Sequence, residues 1–326
     1  MLILSRKEVE RLIELDKLPA VIEEAFYAYA IGEASMPPKI YLDIPQHNGD
    51  FRAMPAYFRG AAGLKWVCVY PLNPSTNNLP TVMGMLFYND PATGKPLAVM
   101  EATLLTGYRT AAASAVAIKY LAKPDAGTLG IVGCGGQART HLEVLTASFS
   151  FSRINVFDTD LSRALALKES YKSLPVEAAS LEETCSSEIL CTLTPARKPV
   201  IESRFIKPGT HINAIGADAA GKQELETEVL KRSRVFVDDL KQTLHSGEIN
   251  VAISSGEYKQ EELAGSLGEV IAKKCPGRQT KDEITVFDST GLAPPIPRKS
   301  PLYQPGIPGQ DNAHKQLRRP RCPGRL

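Results

Sequence analysis

Residues 130–138 read GIVGCGGQA, in which Gly133, Gly135 and Ala138 fit the spacing G-x-G-x-x-A. The motif stands directly behind the apolar run TLGIV and directly ahead of a helical stretch, and this order constrains the chain more than any other feature. The first glycine permits a tight strand-to-helix turn, and the second lets the backbone approach a pyrophosphate. A small third residue lets helix and strand pack closely, while the free N–H groups and partial positive charge of the helix start face the phosphates. Asp158 stands 20 residues beyond Ala138, just after the second apolar run INVF. An acid there accepts hydrogen bonds from the adenosine ribose hydroxyls and would repel a 2′-phosphate, which favours NAD(H) over NADP(H). A ligand-free glycine turn is the alternative, and the joint presence of strand, helix and acid weighs against it.

The surrounding pattern supplies the fold class. From Gly127 onward, apolar runs (TLGIV, INVFD, EILCTL, HINAIG, VFVDD, EITVF) alternate with helical stretches such as QARTHLEVLTA and LSRALALKESY. Strands buried on both faces read as continuous apolar runs, so this is a doubly wound α/β Rossmann domain, expected over residues 123–293. Residues 1–122 read as a separate α+β unit. Val9, Leu12 and Ile13, then Val21, Ile22, Ala25, Phe26 and Tyr29, recur at spacings of three and four and are interrupted near Pro19, which predicts two short helices. Between Lys39 and Val99, short runs rich in β-branched and aromatic residues predict a sheet, with GKP at 94–96 as a hairpin connection. The Ala-rich segment 103–122 predicts a helix close-packed against that sheet.

With 43% apolar and 23% charged residues in a chain of 326, extensive disorder is excluded. No apolar run approaches the roughly 18 residues needed to span a bilayer, and the start lacks the h-region of a secretory signal, so a cytoplasmic protein is expected. Six dispersed cysteines without a CxxC pair imply free thiols and no metal site. Up to Ala293 the chain carries 31 bases and 35 acids, with no basic face interleaved with aromatics, so nucleic acid is not an expected partner.

Three basic residues stand in unusual company: Arg52 in GDFRAMP, Lys65 in GLKWV and Arg109 in TGYRTAAAS. A lysine between Leu64 and Trp66 is most simply a solvated side chain on a sheet face. Partial burial would instead lower its pKa and make it an acid or base near neutral pH. Taken together, RAMP, GLKW, LPTVMG, RTAAASAVA, GCGGQA, GTHINAIGAD, GKQEL, VDD and FDSTGLA resemble the ornithine cyclodeaminase/mu-crystallin family, and in particular its archaeal alanine dehydrogenase branch. The resemblance runs from about residue 2 to Ala293. It implies an N-terminal substrate and dimerisation domain, a Rossmann domain, a homodimer, and action on amino acids or imines with a nicotinamide cofactor in the interdomain cleft.

The resemblance also assigns roles. It makes Lys65 the catalytic acid/base, places Arg52 and Arg109 on the substrate carboxylate, and sets Asp218 facing the nicotinamide to activate water or shuttle a proton. It puts Arg109, Thr110, Gly133, Gly135, Gly136, Gln137 and Ala138 near the cofactor phosphates and Asp158, Thr159 and Asp160 near the ribose. Thr194, Ala214, Ile215, Gly216, Ala217, Asp218, Lys222 and Ser289 would be further contacts. In the lyase branch the position of Arg52 holds a glutamate suited to the distal amine of ornithine. An arginine there would repel that ammonium, which favours alanine as substrate over the alternatives, cyclisation of ornithine with catalytic NAD+ or ketimine reduction and ligand binding of the mu-crystallin kind.

Residues 294–326 differ in kind, with eight of the chain's 24 prolines and seven Lys/Arg against the single acid Asp311. The family resemblance implies an apolar helix after STGLA that packs on the first domain. Prolines at 294, 295 and 297 forbid it, so an irregular tail is expected, and with it a change of reading frame near codon 293.

Overall fold

The computed structural model of the protein describes residues 1–291, so the expectations for the segment beyond Ala293 lie outside the described residues. The fold is built on two sheets. The first has seven strands, with Leu2–Leu4, Pro96–Glu101, Val82–Asn89, Ala61–Val69, Gly49–Phe58 and Ala34–Ser35 side by side and Ile40–Ile44 also paired to Gly49–Phe58. All its pairings are antiparallel except that of Leu2–Leu4 with Pro96–Glu101. Of the expected hairpin connection at 94–96, Gly94 and Lys95 lie in the loop and Pro96 opens the next strand, and the long hairpin before it turns at Arg59 and Gly60, both with positive φ.

The second sheet is wholly parallel. Its order is Val176–Ala178, Arg153–Phe157, Thr128–Val132, Ile189–Thr192, His211–Ala214, Ile284–Asp288, Ser233–Val237 and Gly265–Ser266. The winding reverses between Thr128–Val132 and Ile189–Thr192, and the crevice at the carboxyl ends of those strands is where such sheets take ligands. The edge strands Leu2–Leu4, Ala34–Ser35, Val176–Ala178 and Gly265–Ser266 are two or three residues long, too short for periodicity to reveal.

The two helices foreseen near Pro19 are Arg6–Leu12 and Leu18–Ala30, the latter with its proline in the first turn, where the missing N–H costs nothing. The Ala-rich helix Thr103–Leu121 is buried nearly all round. It packs less on the first sheet than on the helices Leu18–Ala30 and Gly136–Ser148, and it shares one core with Leu129, Ile131 and Ile154 of the second sheet. Small residues make this possible: a β-carbon on Gly107 would lie 2.7 Å from the Thr140 side chain. The helix therefore joins the two sheets instead of belonging to the first alone.

Period-two alternation decides what each face of the first sheet carries. In the strand Ala61–Val69, Lys65, Val67 and Val69 point to the covered face and Leu64 and Trp66 to the other. Arg52 pairs with Val67 and Met54 with Lys65, which places Arg52 and Lys65 diagonally on the same face. The opposite face keeps Ile40, Leu42, Trp66, Met85 and Phe87 exposed.

Candidate active site

Arg52 and Lys65 rise from the covered face of the first sheet, and the loop after His211–Ala214 brings Asp218 over them from the second. Arg52 is 3% exposed, and each nitrogen of its guanidinium has a partner. Nε lies 2.6 Å and Nη2 3.1 Å from the two oxygens of Asp50, while Nη1 lies 2.9 Å from Asp218 Oδ2. Tyr41 stacks beneath it, with the guanidinium carbon 5.3 Å from the ring centroid. Lys222 Nζ takes the other Asp218 oxygen at 2.6 Å. Burial works against the charge of Asp218, and Arg52, Lys222 and Lys39 more than reverse that, holding the carboxyl well below the usual carboxylate range.

Lys65 is 7% exposed and experiences the opposite field. Burial disfavours its ammonium, and Arg109, Lys39 and Arg52 add repulsion that Asp218 only partly offsets, so its pKa falls well below that of a free lysine. Arg109 sits within the helix Thr103–Leu121, where burial lowers it to about 10 against the pull of Asp238 and Asp218. Lys39 was not singled out in the sequence, because it opens a β run after Pro37 and Pro38 and looks like a linker residue. Burial lowers it to about 8, and its Nζ donates to Thr290 O at 2.5 Å. Four cations thus surround a short list of carboxylates, of which Asp50 and Asp238 also carried no signal of their own.

The glycine turn matches its expected form. Gly133 has φ +98° and packs so closely on Leu193 that a β-carbon would lie 2.9 Å from its carbonyl oxygen. Gly135 and Gly136 have nothing within 4 Å of such an atom, which leaves an open concavity at the N-terminus of the 13-residue helix Gly136–Ser148. Ala138 is fully buried in the helix–strand contact. Gln137 Oε1 is a buried acceptor without a protein partner at this turn. Open backbone and a helix N-terminus fit a pyrophosphate. Asp158 accepts from Cys134 N at 2.8 Å and Asp160 N at 2.9 Å, which leaves lone pairs for ribose hydroxyls and makes the residue a brace of the turn as well.

Other expected contacts have local duties in the structure. Asp160 caps the helix Leu161–Ser170 through Ser162 N, with the exposed Thr159 beside it. The Thr110 hydroxyl donates to Thr106 O at 2.7 Å and would have to turn to reach a phosphate. Thr194, Ala214, Ile215, Gly216 and Ala217 line the carboxyl ends of Ile189–Thr192 and His211–Ala214. Glu224, which the sequence reading passed over, ties those ends together by accepting from Thr192 Oγ1, Thr194 N and Gly216 N at 2.7–2.8 Å. Ser289 donates to Asp238. Among the described residues no cluster of His, Cys, Asp and Glu could hold a metal, the five cysteines are free, and no helix is long and apolar enough to cross a membrane.

The sequence profile of the ornithine cyclodeaminase/mu-crystallin family matches residues 1–294, stopping where the composition changes. The alanine dehydrogenase of Archaeoglobus fulgidus is 48% identical over 297 residues, covering 90% of each chain. A solved archaeal alanine dehydrogenase dimer with bound NAD superimposes with a TM-score of 0.86 at 46% identity, covering 90% of this chain and 91% of that one. The Thermococcus litoralis Δ1-pyrroline-2-carboxylate reductase, solved with NADH and L-proline, gives 0.87 at 36% identity over 90% and 93% of the chains.

Proposed function

The chain belongs to the ornithine cyclodeaminase/mu-crystallin family, and from that premise we propose that it is an NAD-dependent alanine dehydrogenase, interconverting L-alanine with pyruvate and ammonia. The observation that carries this reading is the gathering of Lys39, Arg52, Lys65 and Arg109 at the mouth of a dinucleotide fold. Such a field favours a substrate with a carboxylate and opposes a second, distal ammonium, as ornithine would bring. NAD, held by the open glycine turn and by Asp158, supplies the hydride acceptor when bound.

The chain's own residues then divide the work. Arg109 and Lys39 hold the carboxylate, which orients Cα. Arg52 departs from its expected role: all three of its nitrogens donate to Asp50 and Asp218, so it fixes Asp218 more than it holds substrate. Lys65, its ammonium disfavoured by burial and by its cationic neighbours, takes a proton from the substrate ammonium so that the nitrogen lone pair can assist departure of the hydride from Cα. Asp218 is too strongly held as a carboxylate to be a good base. It stabilises the positive charge that develops on the iminium and orients the water that adds to it, while Lys65 passes protons between that water and the leaving ammonia. Positioning of this kind accounts for at most roughly 7–11 kcal/mol of barrier lowering.

The exposed apolar face of the first sheet, with Ile40, Leu42, Trp66, Met85 and Phe87, supports a homodimer, as does the dimeric archaeal relative. The test of the reading is the stoichiometry of L-alanine oxidation: one NADH and one ammonia per pyruvate are expected. Ammonia released from L-ornithine without net NADH would replace it with the lyase reading.

A further inference from the structure

We propose that Asp238 is a positioning residue that latches the two halves of the cleft and sets the height of the carboxylate-binding cations Lys39 and Arg109. This inference rests on the reading that a substrate carboxylate binds there.

Asp238 directly follows the strand Ser233–Val237 of the second sheet and is 1% exposed. Its carboxylate gathers the strap Ser289–Gly291. Ser289 Oγ donates at 3.0 Å, Thr290 Oγ1 at 3.2 Å and Gly291 N at 2.7 Å. The strap then touches both cations of the first unit. Thr290 O accepts from Lys39 Nζ, and Gly291 lies so close beneath Arg109 that a β-carbon would stand 2.6 Å from Nη1 and 2.8 Å from Nη2. Gly291 also has φ +87°, so a side chain there strains the backbone and pushes the Arg109 guanidinium aside. One buried carboxylate therefore holds the floor on which Arg109 rests and the carbonyl that anchors Lys39. The adjacent Asp239 repeats the link, accepting from Tyr29 Oη of the helix Leu18–Ala30 at 2.5 Å.

Electrostatics point the same way. Lys39 faces Asp238, Asp218, Arg52, Arg109 and Lys65, and after burial the carboxylate of Asp238 is the largest influence on it, keeping it charged. Loss of that charge lowers the Lys39 pKa further from about 8, so its ammonium disappears at lower pH.

The experiment compares Asp238→Asn and Gly291→Ala with wild type. Pyruvate turnover by wild type is established first; if wild type turns over only Δ1-pyrroline-2-carboxylate, the alanine reading fails and the same comparison is made with that carboxylate. Both variants should raise KM for the keto acid roughly tenfold while NADH affinity, read by fluorescence, stays within about twofold. Asp238→Asn alone should move the alkaline limb of kcat/KM to lower pH. Should Asp238→Asn not fold, Gly291→Ala decides through its KM. An unchanged KM and pH profile in a folded variant, or equal losses of keto acid and NADH binding, would overturn the latch.

Discussion

Arg52 Nη1 lies 2.9 Å from Asp218 Oδ2, an ion pair that crosses from the first sheet to the second and closes the floor of the cleft. Arg52 is 4% exposed at its side chain, so its end of the pair is desolvated, and loss of Asp218 would leave a buried cation less compensated. Arg52→Gln should reduce kcat/KM by roughly 2–5 kcal/mol in transition-state terms, about 30-fold or more. It should also let the Asp218 pKa rise, because burial then meets only Lys222 and Lys39. The acid limb of the pH–rate profile should move upward; steady-state kinetics from pH 4 to 9 checks both effects.

Lys65→Met should abolish turnover under saturating substrate and leave NADH binding nearly intact. The side chain reaches the substrate region and not the glycine turn. Methionine fills a similar volume without a proton to exchange, so NADH titration and turnover separate the two roles. In wild type, the limb of the pH–rate profile set by Lys65 should fall well below the range of a free lysine, since burial first and then Arg109, Lys39 and Arg52 disfavour its ammonium.

Asp158→Ala should weaken NADH by roughly tenfold to a hundredfold, as expected when charged hydrogen bonds of about 1.5–3 kcal/mol are lost, and narrow the preference over NADPH. The loss has two sources, the ribose hydroxyls and the brace to Cys134 N. Asp158→Asn separates them: its carboxamide oxygen can keep the brace while the negative charge that rejects a 2′-phosphate is gone. A NADH to NADPH ratio unchanged in both variants would assign ribose reading to another residue.

The expectation for the glycine turn could be read in the sequence because its signal is local. A strand, three small residues and a helix start are contiguous in the chain, whereas alternation around Leu64 and Trp66 points Lys65 to solvent, and only the GLKW motif of the family resemblance marks it, since here the apolar pair faces outward and the lysine inward. Lys39, Asp50 and Asp238 have no such signal. Lys39 acquires its place from Thr290, 251 residues away, and Asp238 from a strap more than 50 residues on. The helix Thr103–Leu121 was legible as a helix but not in its packing, because burial on every side erases the amphipathic stripe that would name its partner. Arg52 was legible as special while its engagement was not: Asp50, two residues away on the same strand, takes two of its nitrogens.

Acid should destabilise the protein before its carboxylates titrate fully. Burial lowers His141 to about 4 and His211 to about 3, both below the ordinary value near 6.5. The unfolded chain thus binds protons that the folded one refuses, and stability present above pH 6.5 is lost progressively as pH falls toward 4. The two imidazoles hydrogen-bond to Ser114 and Thr285, so His141→Asn and His211→Asn should flatten that dependence. Thermal unfolding between pH 4 and 8 checks the slope.

The most direct measurement of the central claim is the ratio of kcat/KM for pyruvate at saturating ammonium and NADH to that for Δ1-pyrroline-2-carboxylate, with one enzyme preparation. A carboxylate cradle serving alanine predicts a ratio well above one, with L-alanine as the product of the first reaction. A ratio well below one, with L-proline formed instead, would contradict the account.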